Sequence, residues 1–339
     1  MDNLRAKYFY TKKVFSSSIF IEMSNSSMNI LKMAYIQKWS IEVLVTMCII
    51  LLMTGCTGMW DDIPAVPEGY QENFSYEGEL EKKYAYDGSY QTEFFSQASS
   101  HKKIRLLQVW YPTELKSSER RWPVVVMANG SGTEASRYKA ILKHLASWGF
   151  IVVGNQDNSS WSGETTSLTL DFILKQDQQK DSIFYGKINT EKIGLSGHSQ
   201  GAVAVFNAVT KYPNGRYYKA ICAQSCVNMN AAKFLKWPYS VDDVKVPTLA
   251  MAGVGKSDDE TVCPLSTLNY FADHIKAPAL IGRLKDITHE RVLMKGNAYT
   301  TAWMLYWLYD DPEAGKCFIG SDAEILKNKG WRNVKQKKL

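Results

Sequence analysis

The sequence has few metal-binding side chains and no apolar segment long enough to span a bilayer. It contains five histidines and six cysteines in 339 residues, and the cysteines lack the paired C-x-x-C spacing of a zinc site. The longest apolar run, Val43–Met53, is only about half the length of a transmembrane helix. These shortages predict a protein without a metal centre and without a cofactor bound through one.

An excess of one charge is also missing. Forty Lys and Arg residues against thirty-four Asp and Glu residues give a net charge of +6, and no basic stripe interleaved with aromatic residues is present. We therefore expect no nucleic-acid partner. There is no internal repeat and no low-complexity segment. The 45% hydrophobic content is that of a globular protein, and the length suits one large domain.

The N-terminal region has the pattern of an export signal. The apolar run Val43–Met53 has the length of a signal-peptide core, and the sequence Leu-Met-Thr-Gly-Cys at 52–56 resembles a bacterial lipobox. We therefore predict that residues 1–55 are a signal peptide and that Cys56 is acylated. An uncleaved anchor or an ordinary signal peptide are the alternatives, and residues 1–27 are a candidate for a mis-assigned start.

Residues 56–85 show neither a helical nor a strand period and are rich in proline, glycine and acidic side chains. This composition predicts a hydrated tether between Cys56 and a catalytic domain at 86–339. Together with the lipid, the tether predicts a protein held on the outer face of the cytoplasmic membrane.

Strand patterns alternate with helical patterns in the body of the chain. Continuous β-branched strands followed by amphipathic helices indicate a mostly parallel sheet with helices on both faces, an α/β fold. The predicted strands are 103–111, 123–128, 150–154, 192–196, 218–222, 247–252 and 279–284, the last in the chain. The clearest predicted helices are 135–148, 167–174, 202–209 and 300–309.

The sequence Gly-His-Ser-Gln-Gly at 197–201 fits the pattern G-x-S-x-G between a predicted strand and a predicted helix. Such a turn needs glycine on both sides because side chains there would collide with neighbouring elements. It lifts the serine hydroxyl to the N-terminus of the next helix, where negative charge is favoured. We therefore predict that Ser199 is a nucleophile.

A serine nucleophile needs a base. In folds with this turn the acid and then the histidine follow the serine along the chain, which leaves His274 and His289. His274 lies in a helical stretch and is expected on the surface. His289 follows the strand 279–284 at the edge of the sheet where ligands gather, so it is the predicted base.

The acid should follow the strand 247–252, where Asp258, Asp259 and Glu260 are consecutive. Asp258 is favoured and Asp259 is the alternative, since only one carboxylate is needed to orient the imidazole. An oxyanion hole needs two convergent N–H groups. The amide of Gln200 is one candidate, and that of Ser131 in the glycine-containing loop after the strand 123–128 is the other.

These segments together resemble the α/β-hydrolase superfamily, in particular its branch of dienelactone hydrolases, chlorophyllases and bacterial cutinases, which includes polyester hydrolases. The resemblance covers residues 90–310 and rests on the segments 126–131, 145–153, 192–202 and 246–253. It implies the α/β-hydrolase fold and an ester hydrolase with a Ser-His-Asp triad and no cofactor. Two departures weaken the expectation of polyester activity: Ser131 stands where cutinases usually carry an aromatic residue, and Glu290 where many relatives have glycine.

Only about 25 residues separate the strands ending at Cys222 and starting at Pro247, too few for the large lid of many lipases. An open cleft and a preference for short acyl chains are expected. The candidate aromatic walls are Trp161, Phe234, Trp237 and Tyr239.

The resulting hypothesis is a monomeric, lipid-anchored serine esterase. A non-catalytic binding protein on the same fold and an acyltransferase remain as alternatives. A disulfide between Cys226 and Cys263 is a further hypothesis, with two free thiols as its alternative.

Overall fold

A nine-stranded, mostly parallel sheet forms the centre of the structure, a computed structural model that describes residues 65–339. The strand order is β1-β2-β4-β3-β5-β6-β7-β8-β9, and the pairs β1/β2, β2/β4 and β8/β9 are antiparallel. The strands are β1 (Thr92–Ala98), β2 (Leu106–Pro112), β3 (Trp122–Ala128), β4 (Ile151–Asn155), β5 (Ile188–His198), β6 (Tyr218–Gln224), β7 (Thr248–Gly253), β8 (Ala279–Leu284) and β9 (Trp331–Lys337).

The strands are connected mainly by helices. The α-helices are α1 (Glu79–Ala85), α2 (Lys139–Ser147), α3 (Glu164–Gln176), α4 (Gln200–Lys211), α5 (Met229–Phe234), α6 (Leu265–His274), α7 (Val292–Lys295), α8 (Asn297–Tyr309), α9 (Pro312–Gly315) and α10 (Glu324–Lys327). Short 3₁₀ helices cover Tyr70–Asn73, Thr113–Lys116, Ala135–Tyr138, Pro213–Tyr217 and His289–Arg291, and a π turn covers Ser257–Thr261.

Both faces of the sheet are covered. Every residue of β3 is buried, and its side chains alternate between two cores: Val124 and Val126 pack on the side of α3, α4 and α6, whereas Val125 and Met127 pack on the side of α2 and α8. Burial on both faces explains why the parallel strands read as continuous apolar runs. The predicted α/β-hydrolase fold, a mostly parallel sheet between two helical layers, is confirmed.

Neither edge strand is predicted from the sequence. β8 was expected to be the last strand, but β9 pairs antiparallel with it, and β1 pairs antiparallel with β2. Both edge strands are largely polar and have many exposed or half-buried positions, so neither produces the apolar run that marks the central strands.

The expected tether must be corrected for residues 65–85. This segment forms a 3₁₀ turn and helix α1, and it buries Tyr70, Tyr84 and the carboxylate side chain of Glu81 against the domain. The folded body therefore begins before residue 86. Glu81 is bound by Lys295 and Asn328, both more than two hundred residues away in the chain, and local composition does not reveal such partners.

The predicted signal peptide at 1–55, the lipidation site Cys56 and the remaining tether residues up to 64 lie outside the described residues. Within residues 65–339, no helix is both long enough and apolar enough to cross a bilayer.

Candidate active site

The predicted site residues come together at one edge of the sheet. β5, β6, β7 and β8 are neighbouring parallel strands, so their carboxyl ends meet at this edge. Ser199 directly follows β5, Asp258 follows β7 and His289 follows β8. All three side chains lie in buried or nearly buried positions, as expected where ligands bind outside the strand ends.

Ser199 occupies a strained turn between β5 and α4. Its backbone has φ 57° and ψ −120°, a region that residues other than glycine rarely adopt and that costs about 1–3 kcal/mol. The turn is held by the Ser199 amide, which donates to the carbonyl of Gln224 at 2.8 Å. A Cβ atom on Gly201 would lie 2.2 Å from the carbonyl oxygen of Ala128, which explains the second glycine of the motif.

Asp258 is bound directly to His289. The Asp258 Oδ1 atom accepts a hydrogen bond from His289 Nδ1 at 2.7 Å, and both side chains are fully buried. The other oxygen, Oδ2, accepts from Ser225 Oγ at 2.7 Å and from the Gly253 amide at 2.8 Å. Burial raises the pKa of Asp258, but these hydrogen bonds, that of His289 foremost, outweigh burial and hold the pKa below its usual value of 3.8. The carboxylate is therefore charged and fixed in orientation.

The two neighbouring carboxylates lie elsewhere. Asp259 pairs with Arg283 of β8, whose side chain is almost buried, and Glu260 is exposed. The π turn Ser257–Thr261 directs Asp258 inward and Asp259 outward, and such turns are frequent at functional sites. Of the two aspartates considered from sequence, only Asp258 contacts the histidine in the described structure.

His274 lies on the surface at the end of α6. Its ring stacks on Tyr270 with 3.7 Å between centroids, and its Nδ1 lies 2.9 Å from the Tyr270 carbonyl. Its ring is exposed, and neither Ser199 nor Asp258 is among its hydrogen-bond or ring partners in the described structure, so His289 is the better candidate for the base.

Sequence reasoning gave no role to His198, the variable residue before the serine. Its Nε2 atom is 2.8 Å from the carbonyl oxygen of His289, and the two rings lie 4.7 Å apart. Burial, followed by the neighbouring His289, lowers the pKa of His198 to about 3, so its ring is neutral. A neutral ring that donates from Nε2 ties the nucleophile turn to the turn carrying His289. The imidazole in the motif was the only sequence signal for this contact.

The two amides predicted to form the oxyanion hole are not used by other acceptors in the described structure. The Gln200 amide is the first of helix α4, where no acceptor exists within the helix, and the Ser131 amide donates to no acceptor in the described part of the chain. The other amides of that loop are engaged: Gly130 N to Tyr138 Oη at 3.1 Å, Gly132 N to Asn158 O at 3.0 Å, and Thr133 N to Gly130 O at 3.3 Å.

Asn129 anchors the loop that carries Ser131. Its Nδ2 atom donates to the carbonyls of Asn155 and Asp157, both at 2.8 Å, and Ser160 Oγ donates to its carbonyl oxygen at 2.5 Å. The side chain is buried, so the start of the loop is fixed relative to the end of β4. The sequence predicts a role for the backbone of the Asn129 loop, but it does not predict this role of the side chain.

No large cover is inserted between β6 and β7, the place where a lid was considered from sequence. α5, Met229–Phe234, is the only α-helix between β6 and β7, and Phe234 is 57% exposed. Tyr239 is not a cleft wall, because it is buried and stacks on Phe206 in the core. Trp161 and Trp237 are half-buried against that same core. Two cavities of about 340 and 240 Å³ lie elsewhere, and neither is lined by Ser199.

The four cysteines of the described region are free thiols, so the hypothesised disulfide between Cys226 and Cys263 is not formed in the structure. Both thiols are buried, and burial raises the pKa of each. They are therefore unreactive protonated thiols, the alternative considered from sequence.

A comparison with known families agrees with this arrangement. Residues 84–324 match the PET hydrolase-like (PETase) family. The chain belongs to this family. The match extends over most of the described domain and includes Ser131, Ser199, Asp258 and His289. Membership implies a serine hydrolase of ester bonds on the α/β-hydrolase fold. A search of curated proteins found no match. The family match leaves the packed segment 65–83 outside its range.

Proposed function

We propose that this PET hydrolase-like protein is an exported, lipid-anchored serine esterase that cleaves carboxylic esters through an acyl-enzyme. The observation that carries the proposal is the 2.7 Å hydrogen bond between Asp258 and His289, beside a strained turn that presents Ser199. A buried carboxylate bound to Nδ1 leaves Nε2 of the imidazole as the basic atom. This is the tautomer that a serine nucleophile needs.

In the acylation step, His289 takes the proton from the Ser199 hydroxyl as the oxygen attacks the ester carbonyl. Negative charge then develops on the carbonyl oxygen, and we assign its stabilisation to the amides of Gln200 and Ser131. The imidazolium is stabilised by the Asp258 carboxylate and returns its proton to the leaving alcohol. Ser199 is now acylated, and the alcohol departs.

In the deacylation step, water enters the open cleft and His289 takes its proton. The hydroxide attacks the acyl-enzyme, the same two amides hold the oxyanion, and the Ser199 oxygen leaves as it is reprotonated. If an alcohol or amine replaced water, the protein would be an acyltransferase. Product analysis distinguishes the two, because only hydrolysis releases the free acid.

A fluorophosphonate probe tests the nucleophile directly. We expect Ser199 to be labelled covalently and the Ser199→Ala variant to show no labelling and no ester hydrolysis. The control is Ser131→Ala, which keeps the backbone amide and should still be labelled. A parent protein that is folded but neither labelled nor active would be the non-catalytic binding protein instead.

The substrate is proposed to be an ester with a short acyl chain, because the connection between β6 and β7 contains only the short helix α5 and no large lid. A series of p-nitrophenyl esters from acetate to palmitate tests this. We expect butyrate to be cleaved faster than palmitate, with no increase in rate above the micellar concentration of the ester. A film of poly(ethylene terephthalate) in the same series would show whether this protein, which has Ser131 where cutinases usually carry an aromatic residue, hydrolyses a polyester.

Attachment to the membrane is proposed through diacylation of Cys56, since two acyl chains give stable anchoring and one does not. The support is the lipobox-like sequence at 52–56. We expect Cys56→Ser to move the protein from the membrane fraction to the soluble fraction, or to leave it unprocessed, with the esterase activity of the domain unchanged. A variant still processed and membrane-bound would contradict the anchoring.

A further inference from the structure

The turn that carries His289 is held from outside by the N-terminal part of the domain. Two residues after the histidine, Arg291 donates from Nη2 to the carbonyl of Asn73 at 3.2 Å, and its guanidinium lies 4.6 Å from the ring centre of Phe74. A cation over an aromatic face is attracted by the negative potential of the ring. The side chain of Arg291 therefore has two partners in one short segment.

The next helix, α7, is held by the same segment. Lys295 donates from Nζ to the carbonyl of Ser75 at 2.9 Å and to Glu81 Oε1 at 2.7 Å, and it lies 4.0 Å from the ring centre of Tyr76. Both charged side chains are almost completely buried, and such a pair is costly to break because an unpaired charge would remain. The contact between Lys295 and Glu81 therefore holds α7 firmly against the N-terminal segment, unlike an exposed surface pair.

The other end of the segment contacts the elements that follow the Ser131 loop. The Val66 amide donates to the carbonyl of Arg137 at 2.8 Å, and Glu68 pairs with Lys143 of α2 at 3.3 Å. Residues 66–81, which we call the N-terminal brace, thus connect the element after the proposed oxyanion loop with the turn that carries the proposed base.

We propose that the N-terminal brace positions His289 for catalysis, and that Arg291 is the positioning residue through which it acts. The inference rests on the proposed esterase function and adds to it a part of the chain outside the family match. Arg291 does not contact the reacting atoms, which are contacted by His289 and Ser199. It acts through the backbone of the turn.

The physical reason lies in how His289 is held. Its ring is fixed at Nδ1 by Asp258 and its carbonyl by His198, both on the inner side of the turn. Arg291 fixes the outer side, two residues further on. Without it the short 3₁₀ turn His289–Arg291 can tilt about the inner contacts. Since a misplacement of about 1 Å can cost about 10²-fold in rate, we expect a smaller shift of the base to lower the rate about tenfold.

The test uses Arg291→Met in the full-length protein, with Lys83→Met as the matched control. Lys83 also joins the N-terminal region to the domain, through Glu313 at 2.5 Å, but this pair is exposed and contacts α9 instead of the His289 turn. We measure kcat, KM, the rate of fluorophosphonate labelling and the unfolding temperature of both variants. Phe74→Ala, which removes the ring under the guanidinium together with its packing on the domain, is the second variant.

For Arg291→Met we expect kcat and the labelling rate to fall about tenfold with KM nearly unchanged, since alignment is lost and binding is kept. Phe74→Ala should show a smaller fall of the same kind, Arg291→Lys should recover part of the rate, and Lys83→Met should match the parent.

Parental kcat and labelling rate in both Arg291→Met and Phe74→Ala would overturn the proposal, as would an equal loss in Lys83→Met. A fall in unfolding temperature without a change in kcat would show a purely structural contact and would also overturn it. These results are distinct from a failure of the proposed function, in which the parent protein itself would show neither hydrolysis nor labelling.

Discussion

Replacing Asp258 by asparagine gives the sharpest test of the site, because the structure determines how the new amide would sit. The carboxylate accepts three hydrogen bonds, two at Oδ2 from Ser225 and Gly253 and one at Oδ1 from His289. An asparagine at this position keeps the two donors satisfied only if its oxygen replaces Oδ2. Its NH₂ group then points at Nδ1 of His289.

In that arrangement Nδ1 must accept a hydrogen bond, so the imidazole proton moves to Nε2. This tautomer cannot take the proton of Ser199. The corresponding change in a serine protease lowers kcat about 10⁴-fold, and we expect a loss of about 10³–10⁴-fold here, equivalent to about 4–5.5 kcal/mol of activation free energy. Steady-state hydrolysis of p-nitrophenyl butyrate measures it, and circular dichroism confirms that the variant is folded.

The control is Asp259→Asn, which weakens the ion pair with Arg283 and leaves the contact with His289 in place. Its kcat should change less than about threefold, as for a partly exposed ion pair remote from the reacting atoms. The reasoning is refuted if Asp259→Asn loses as much activity as Asp258→Asn, or if Asp258→Asn keeps more than about a tenth of the parental kcat.

The same carboxylate predicts how stability depends on pH. The pKa of Asp258 in the folded protein is lower than its ordinary value of 3.8, so the group stabilises the fold above that pH. The stabilisation is lost as the pH falls through the folded-state pKa. Unfolding temperatures measured between pH 7 and pH 3 should therefore fall less steeply at the acid end for Asp258→Asn than for the parent. Identical slopes would show that the carboxylate is not held as the structure indicates.

Two further predictions concern stability. Gly201→Ala would place a Cβ 2.2 Å from the backbone oxygen of Ala128, so we expect a loss of about 3 kcal/mol or more in urea unfolding, or no folded protein; a loss within 1 kcal/mol would contradict the tight packing of the turn. Glu81→Gln would leave Lys295 buried without a carboxylate partner and should cost about 3–5 kcal/mol, whereas Lys83→Met, at an exposed pair, should cost less than about 1 kcal/mol; equal effects would contradict the assignment of the buried pair.

The parts of the site that sequence could predict are those with a local signal. The nucleophile turn has a signal in five consecutive residues, 197–201. Glycine is needed there because a side chain would collide with neighbouring backbone. The base was found from its place after a strand, because the carboxyl ends of parallel strands share one edge. The central strands were recognised for the same reason that they are central, since burial on both faces requires continuous apolar runs.

The sequence favours Asp258 as the acid but leaves Asp259 open. Asp258 and Asp259 have the same chemistry and adjacent positions, and only the π turn separates the buried carboxylate from the exposed one. The N-terminal brace is not predicted from the sequence for a different reason. Its charged anchor, Glu81, is polar by composition and would suit a solvated stalk equally well, and its partner Lys295 is 214 positions away.

The edge strand β9 affects whether two copies of the protein can pair through their sheets. Its exposed positions include Arg332 and Lys335, and Lys337 caps the end of α6 by donating to the carbonyls of Ala272, Asp273 and Ile275. A second copy pairing along this edge would bring lysine and arginine side chains opposite each other, and would have to displace a helix cap. Within the described sheet, the charges and the helix cap of β9 therefore discourage strand-to-strand aggregation along this edge.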